Sequence, residues 1–180
     1  MKYDNERDVF TKGCVQVYTG NGKGKTTAAI GLAVRALGAG IEVFFAQFLK
    51  SGDYSEIQIL RNLDNITCRQ YGVGGFIART PSSEDIASAR RGVEDALRAM
   101  KGGDYGVVIL DEANVAYSLG LISIEELMSL VRERPPAAEL VLTGRGAPAE
   151  LIAAADLVTE MREIKHYFNS GVKARKGIES

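Results

Sequence analysis

Gly20, Gly22 and Gly24 alternate with Asn21, Lys23 and Lys25 and run directly into Thr26 and Thr27. A stretch of this kind can hold phosphate. Glycine tolerates positive φ and carries no Cβ, so successive backbone amides can converge on an anion. Lys25 would then offer a point charge to the terminal phosphates, and Thr26 a hydroxyl to Mg²⁺. The apolar run Val15-Gln16-Val17-Tyr18 precedes the glycines, and alanine-rich helical sequence follows from Ala28. Strand, glycine turn and helix form the setting in which Gly-Lys-Thr marks a P-loop. The first amides of a helix lack intrahelical partners, and the helix dipole adds positive charge there. The spacing is unusual: counting back from Gly24 places Thr19 where the first glycine normally stands, and starting from Gly20 leaves the loop one residue short. Lys23 adds a second cation beside Lys25. A Gly/Lys-rich surface turn that binds nothing fits poorly between a strand and a helix. Spacing leaves open which phosphate the short loop encloses.

A second constellation follows the apolar residues 107–110, where Asp111 and Glu112 stand side by side. In P-loop proteins an acidic residue at the end of such a strand completes the Mg²⁺ shell opposite the loop hydroxyl. One of the pair is expected to ligate the metal, and the other to orient it or the loop through hydrogen bonds. The competing reading makes Asp111 the cap of a helix over 113–119. Arg145 lies between Gly144 and Gly146 after another apolar strand, and either faces an anionic ligand or is a solvated turn residue. Arg35 falls more than two turns beyond Thr26 and so contacts something outside the loop. Phe76, in a glycine-rich loop, is either a cap on the core or a platform for a flat ligand. The segment 48–54 leaves the end of the second strand, where open parallel sheets bind ligands. His166 and the cations Arg162, Lys165, Lys173, Arg175 and Lys176 read as structural or solvated.

The elements that must position these residues alternate regularly. Strands are predicted over 14–18, 42–47, 66–71, 107–110, 139–143 and 157–161. Between them lie helices over 26–37, 55–63, 83–101, 123–134 and 148–154, with Ser82 or Ser83 as one cap and a Ser123/Glu126 capping box as another. Such alternation predicts an α/β fold: a P-loop NTPase-like, mostly parallel sheet with helices on both faces. At 180 residues and 46% hydrophobic, one domain with a substantial core is expected, carrying an N-terminal arm at 1–12 and a basic tail at 163–180. A net charge of −1 gives no reason to expect nucleic acid or an acidic membrane as partner. Arg35, Glu42 and Gly38-Ala39-Gly40 interrupt the apolar stretch 28–49, which argues against a membrane span. Cys14 and Cys68 read as reduced thiols of a cytoplasmic protein rather than a metal site.

The phosphate loop and Asp111-Glu112 can be joined to Leu142-Thr143-Gly144-Arg145-Gly146-Ala147-Pro148, to 155–162, to Lys165-His166 and to 171–178. Together they resemble the P-loop type of ATP:corrinoid adenosyltransferase (cob(I)alamin adenosyltransferase) from about Gly13 to Ile178. That resemblance implies transfer of the 5′-deoxyadenosyl group of ATP to the cobalt(I) of a reduced corrinoid, with release of triphosphate, in adenosylcobalamin biosynthesis or salvage. It further implies a homodimer, ATP reversed relative to ordinary P-loop NTPases, and a flavin or flavoprotein electron donor. By matching position, Asn21 to Thr27 would hold the triphosphate, with Lys23 and Lys25 neutralising it. Thr26 and Glu112 would ligate Mg²⁺ (or Mn²⁺) beside Asp111, and Arg35 would position the nucleotide. The N-terminal arm would cover the corrinoid. Some members carry a Phe-x-Trp pair that matches Phe76 and Ala78; here only the phenylalanine is present, to press on the ring system. The corrinoid is then a biosynthetic precursor, complete cobalamin, or both. The rival readings are a P-loop ATPase or kinase, with Glu112 positioning water, and a non-catalytic nucleotide- or corrinoid-binding module.

Overall fold

Strands that are apolar at nearly every position need cover on both faces, and a parallel sheet wrapped by helices supplies it. The computed structural model, which describes residues 12–74 and 80–179, has this arrangement. In chain order it runs β1 (Val15–Thr19), α1 (Lys25–Gly38), β2 (Val43–Phe48), α2 (Ser55–Leu60), β3 (Ile66–Tyr71), α3 (Ser83–Gly102) and β4 (Val107–Asp111). The chain continues through α4 (Ala113–Ser118), α5 (Ile124–Arg132), β5 (Glu139–Thr143), α6 (Ala149–Ala154) and β6 (Leu157–Glu160), then a 3₁₀ turn at Tyr167–Ser170. Among the described residues the sheet has six strands in the order β3-β2-β4-β5-β1-β6, and every pairing is parallel.

Alternate residues of the central strands divide the core in two. Val17, Phe44, Ala46, Val108, Leu110, Leu140 and Leu142 pack on one face, under α3, α4, α5 and α6. Tyr18, Val43, Phe45, Val107, Ile109 and Val141 pack on the other, under α1 and α2. The last strand departs from this scheme: Leu157 and Val158 remain 44% and 40% exposed, because β6 is an edge strand. No described helix is long and apolar enough to cross a membrane, and the stretch at 28–49 divides into α1 and β2.

Two helix starts follow the sequence chemistry closely. Ser82 caps α3 in a reciprocal box with Asp85, and Ser123 caps α5 with Glu126. The helix after β3's neighbour β2 is shorter than expected, ending at Leu60, since residues 61–65 form turns that close on Asn65 at φ 62°. Parallel register brings Gln47 level with Asp111, and Tyr18 level with Thr143. Polar residues that close separate strands therefore meet at one edge, the carboxyl end of the sheet.

Gly92 of α3 sits where that helix crosses the sheet: a Cβ there would lie 2.9 Å from the Phe48 ring and 3.0 Å from that of Tyr71. Gly92→Val is expected to lower unfolding free energy by about 1–3 kcal/mol through overpacking, despite removing a helical glycine. Urea denaturation checks this, and an unchanged midpoint would contradict the packing described.

Candidate active site

Gly20 has φ +92° and Gly24 φ +120°, conformations that side-chain-bearing residues rarely adopt. The outer side of the loop lies against the chain leaving β6. A Cβ on Gly20 would stand 2.4 Å from the Met161 carbonyl oxygen, and one on Gly22 2.8 Å from the Arg162 carbonyl carbon. The Gly22 amide donates to Met161 O at 2.7 Å, pinning the loop there. Its inner side opens onto α1. Among the described residues that helix has no side-chain N-cap, which leaves its first amides to an incoming anion.

The two lysines divide between these sides. Lys25 is 7% exposed and folds across the loop, donating to Gly20 O and Gly22 O, each at 2.8 Å. Burial lowers the pKa of its ammonium; the Glu112 charge opposes that shift and Arg145 adds to it. Lys23 turns outward, donating to Tyr167 Oη at 3.1 Å, Ile178 O at 2.7 Å and Glu179 Oε1 at 3.0 Å.

Opposite the loop, Asp111 is fully buried at the end of β4. Its Oδ1 accepts from Thr26 Oγ1 at 2.8 Å and from Thr143 Oγ1 at 2.7 Å. Its Oδ2 accepts from Gln47 Nε2 at 3.1 Å, with Lys50 Nζ at 3.9 Å. Gln47 is oriented in turn by Gln70, whose Nε2 donates to Gln47 Oε1 at 3.1 Å. Asp111 is therefore a strand-end carboxylate rather than a helix cap; the residue that begins α4 is Glu112, at φ 62°. That left-handed backbone is unusual for glutamate, and the Glu112 amide is held by Thr143 Oγ1 at 3.0 Å. Burial and then the neighbouring Asp111 charge raise the Glu112 carboxyl pKa, while Lys50, Lys25 and Arg145 draw it down.

The donor set suits a small hard cation. The Thr26 hydroxyl and two carboxylates are all oxygen ligands, and Mg²⁺ characteristically takes one or two of these with phosphates and water completing its shell. No group of three His, Cys, Asp or Glu among the described residues would hold a metal alone. Burial and the neighbouring Asp111 charge, which raise the Glu112 carboxyl pKa, are effects that a cation held there would offset.

Arg145 is exposed on its glycine-flanked turn, yet its charge reaches both Lys25 and Glu112. The turn is fixed by Asn114 Nδ2, which donates to Gly144 O at 3.2 Å, and by Gly144 N, which donates to Tyr18 O at 3.1 Å. Arg35 is exposed on α1, and its charge opposes the rise that burial and Glu139 impose on the Tyr18 hydroxyl pKa. Asn21 and Thr27 are exposed at the loop tip and the first turn of α1. Phe76 and Ala78, and the arm at 1–11, lie outside the described residues. Cys14 and Cys68 are unpaired thiols, and burial pushes the Cys68 thiol up to about 11.

Three participants were given no role by the sequence: Gln47, Lys50, and Thr143, which stood in the 142–148 motif without one. Gln47 is the one polar residue of β2, next to its end, and Thr143 closes β5; a polar residue near the carboxyl end of a buried strand could have marked both. Lys50 lies in the loop after β2 already marked for substrate contact, with its ammonium 3.8 Å from Glu56 and over the Tyr54 ring.

A sequence profile described as ATP:corrinoid adenosyltransferase BtuR/CobO/CobP matches residues 11–180. The chain belongs to this family. A corrinoid adenosyltransferase of Pseudomonas aeruginosa is 36% identical over 170 residues, covering 93% of this chain and 84% of the relative. One from Escherichia coli K12 is 37% identical over 171 residues, covering 93% and 86%. A third, from a Sinorhizobium species, is 37% identical over 172 residues, covering 93% and 80%. The family is one of transferases, and its match spans both the phosphate loop and the C-terminal segment.

Asp111→Ala would leave two buried donors, Gln47 and Thr143, and the half-buried Thr26 without their common acceptor and is expected to cost about 3 kcal/mol in a urea titration. Glu112→Gln should act oppositely. A carboxyl whose pKa is raised in the fold loses stability as pH rises past its unfolded value, and the neutral side chain escapes that loss. Its melting temperature at pH 7.5 without ligand should rise by about 1–3 °C, and a fall would contradict the electrostatics described.

Proposed function

We propose that this chain transfers the 5′-deoxyadenosyl group of ATP to the cobalt(I) of a reduced corrinoid, with release of inorganic triphosphate, in adenosylcobalamin biosynthesis or salvage. The observation that supports it most is the family match across residues 11–180, joined to a loop where Lys25 and the uncapped amides of α1 lie beside the Thr26 hydroxyl, which donates to the acidic pair at Asp111. The cobalt(I) electron pair forms the new cobalt–carbon bond at C5′. The C5′–oxygen bond breaks, and its electrons leave with the triphosphate. The nucleophile belongs to the substrate, so the protein's tasks are alignment and stabilisation of the leaving group.

Each residue then has a defined task. Amides of the loop other than that of Gly22, those of the first turn of α1 and the Lys25 ammonium cradle the phosphates, and Arg145 adds charge from the facing turn. Thr26 and Glu112 would hold Mg²⁺ or Mn²⁺, with Asp111 orienting the Thr26 hydroxyl. The metal, when bound, supplies positive charge to the phosphate oxygens. Arg35 helps to position the nucleotide. Phe76 borders the corrinoid, and the arm at 1–12 closes over it. A homodimer in the cytoplasm, supplied with electrons by a flavin or flavoprotein, completes the proposal.

An anaerobic assay with ATP, Mg²⁺ and chemically reduced corrinoid tests this reading. A new cobalt–carbon bond in the visible spectrum and stoichiometric triphosphate are expected; ADP and orthophosphate from ATP alone would instead mark a hydrolase. Binding of both substrates without turnover would mark a non-catalytic module. Lys25→Ala should reduce turnover at least about 100-fold, as deletion of a leaving-group donor commonly does, with an unchanged circular dichroism spectrum. Near-normal turnover would remove Lys25 from the site.

A further inference from the structure

The basic C-terminal segment has no part in the chemistry above, yet its end reaches back to the phosphate loop. An ammonium has three N–H donors, and those of Lys23 match three acceptors, all from this segment: Tyr167 Oη, Ile178 O and Glu179 Oε1. The Glu179 carboxylate is the hub of the cluster. It also accepts from the Tyr167 hydroxyl, from the Arg175 amide at 2.8 Å and from the Arg175 guanidinium at 3.2 Å. The Arg175 guanidinium lies 4.9 Å from the Tyr167 ring centroid, and Lys23 Nζ lies 5.9 Å from it. At its other end the segment is held by the 3₁₀ turn, where His166 Nδ1 accepts from the Phe168 amide at 3.1 Å.

We propose that the segment from Tyr167 to Glu179 clamps the phosphate loop from outside, with Glu179 and Tyr167 acting as positioning residues for the nucleotide through Lys23. A loop with glycine at three of five positions from 20 to 24 loses much backbone freedom when it closes on phosphate. The Gly22–Met161 hydrogen bond fixes its backbone at one point, and the clamp fixes its exposed side chain at a second. Ordering the loop before ATP arrives lowers the cost of binding. The clamp also keeps the Lys23 ammonium out of the loop interior, leaving that space to Lys25. Exposed ion pairs contribute little to global stability, so its effect belongs in nucleotide affinity and not in the melting temperature.

The inference rests on the phosphate-loop reading and is tested with the full chain. MgATP affinity would be measured by calorimetry for the wild type, Glu179→Ala, Tyr167→Phe, Lys23→Met and the Lys23→Met/Glu179→Ala double variant. Turnover at saturating ATP and thermal melting would accompany it. Glu179→Ala is expected to weaken MgATP binding about three- to tenfold, with turnover within about twofold and melting within about 2 °C of wild type. Tyr167→Phe should shift affinity in the same direction by less. In the Lys23→Met background, Glu179→Ala should change affinity by less than about 1.5-fold, because the group it acts through is gone. Wild-type affinity in Glu179→Ala, or equal losses in both backgrounds, would overturn the clamp. So would a parallel fall in melting temperature, affinity and turnover. A wild-type chain that binds no MgATP would overturn the phosphate-loop reading itself, and the clamp with it.

Discussion

The site depends on one charge taken out of water. A buried carboxylate is costly unless donors replace its hydration, and Asp111 draws them from Thr26, Thr143 and Gln47, with Lys50 nearby. These residues come from the start of α1, the end of β5 and the end of β2, and the turn that follows β2. The requirement to satisfy Asp111 thereby fixes the phosphate-loop helix relative to the sheet edge. Thr143 extends the arrangement by accepting the Glu112 amide while donating to Asp111, which holds the next carboxylate in its left-handed backbone conformation.

The loop itself is two-sided. Its inner face combines uncapped helix amides with Lys25, whose ammonium rests on loop carbonyls until a stronger acceptor arrives. Its outer face lies so close to residues 161 and 162 that glycine is the only residue that fits at 20 and 22 without displacing backbone. The exposed edge strand β6 therefore has a local purpose: it carries the chain past the loop and supports it. Two lysines one glycine apart acquire unlike environments, one buried and lowered in pKa, the other exposed among acceptors of the C-terminal segment.

The chain belongs to a family of ATP:corrinoid adenosyltransferases, and the described site is consistent with the proposed reaction, whose nucleophile is a metal centre of the substrate. It concentrates positive charge and amide dipoles where a polyanion would depart, with the acidic pair beside a hydroxyl. Glu112 stores the strain of positive φ and the cost of a half-buried charge next to another carboxylate. Features that weaken the ligand-free fold are thus gathered where ligand and cation would relieve them.

The parallel α/β fold, the strand positions, the serine cap of α3 and the Ser123/Glu126 capping box were legible in the sequence, because hydrophobic period, glycine placement and cap chemistry act over a few residues. The phosphate loop and the acidic pair were legible for the same reason: each is a contiguous motif. The sequence left open whether Asp111 caps a helix or ends a strand, and hydrogen bonds from three other elements decided that question. It gave Lys23 and Lys25, one glycine apart, the same apparent role, whereas packing against 161–162 and the segment at 167–179 sends one outward and one inward. Gln47 carried no motif, and Thr143 stood in one without a role, because both are distant in sequence from Asp111 and meet it only through the parallel register of β2, β4 and β5. Local chemistry settled which elements form; the direction of each side chain was settled by long-range contacts that only the folded sheet creates.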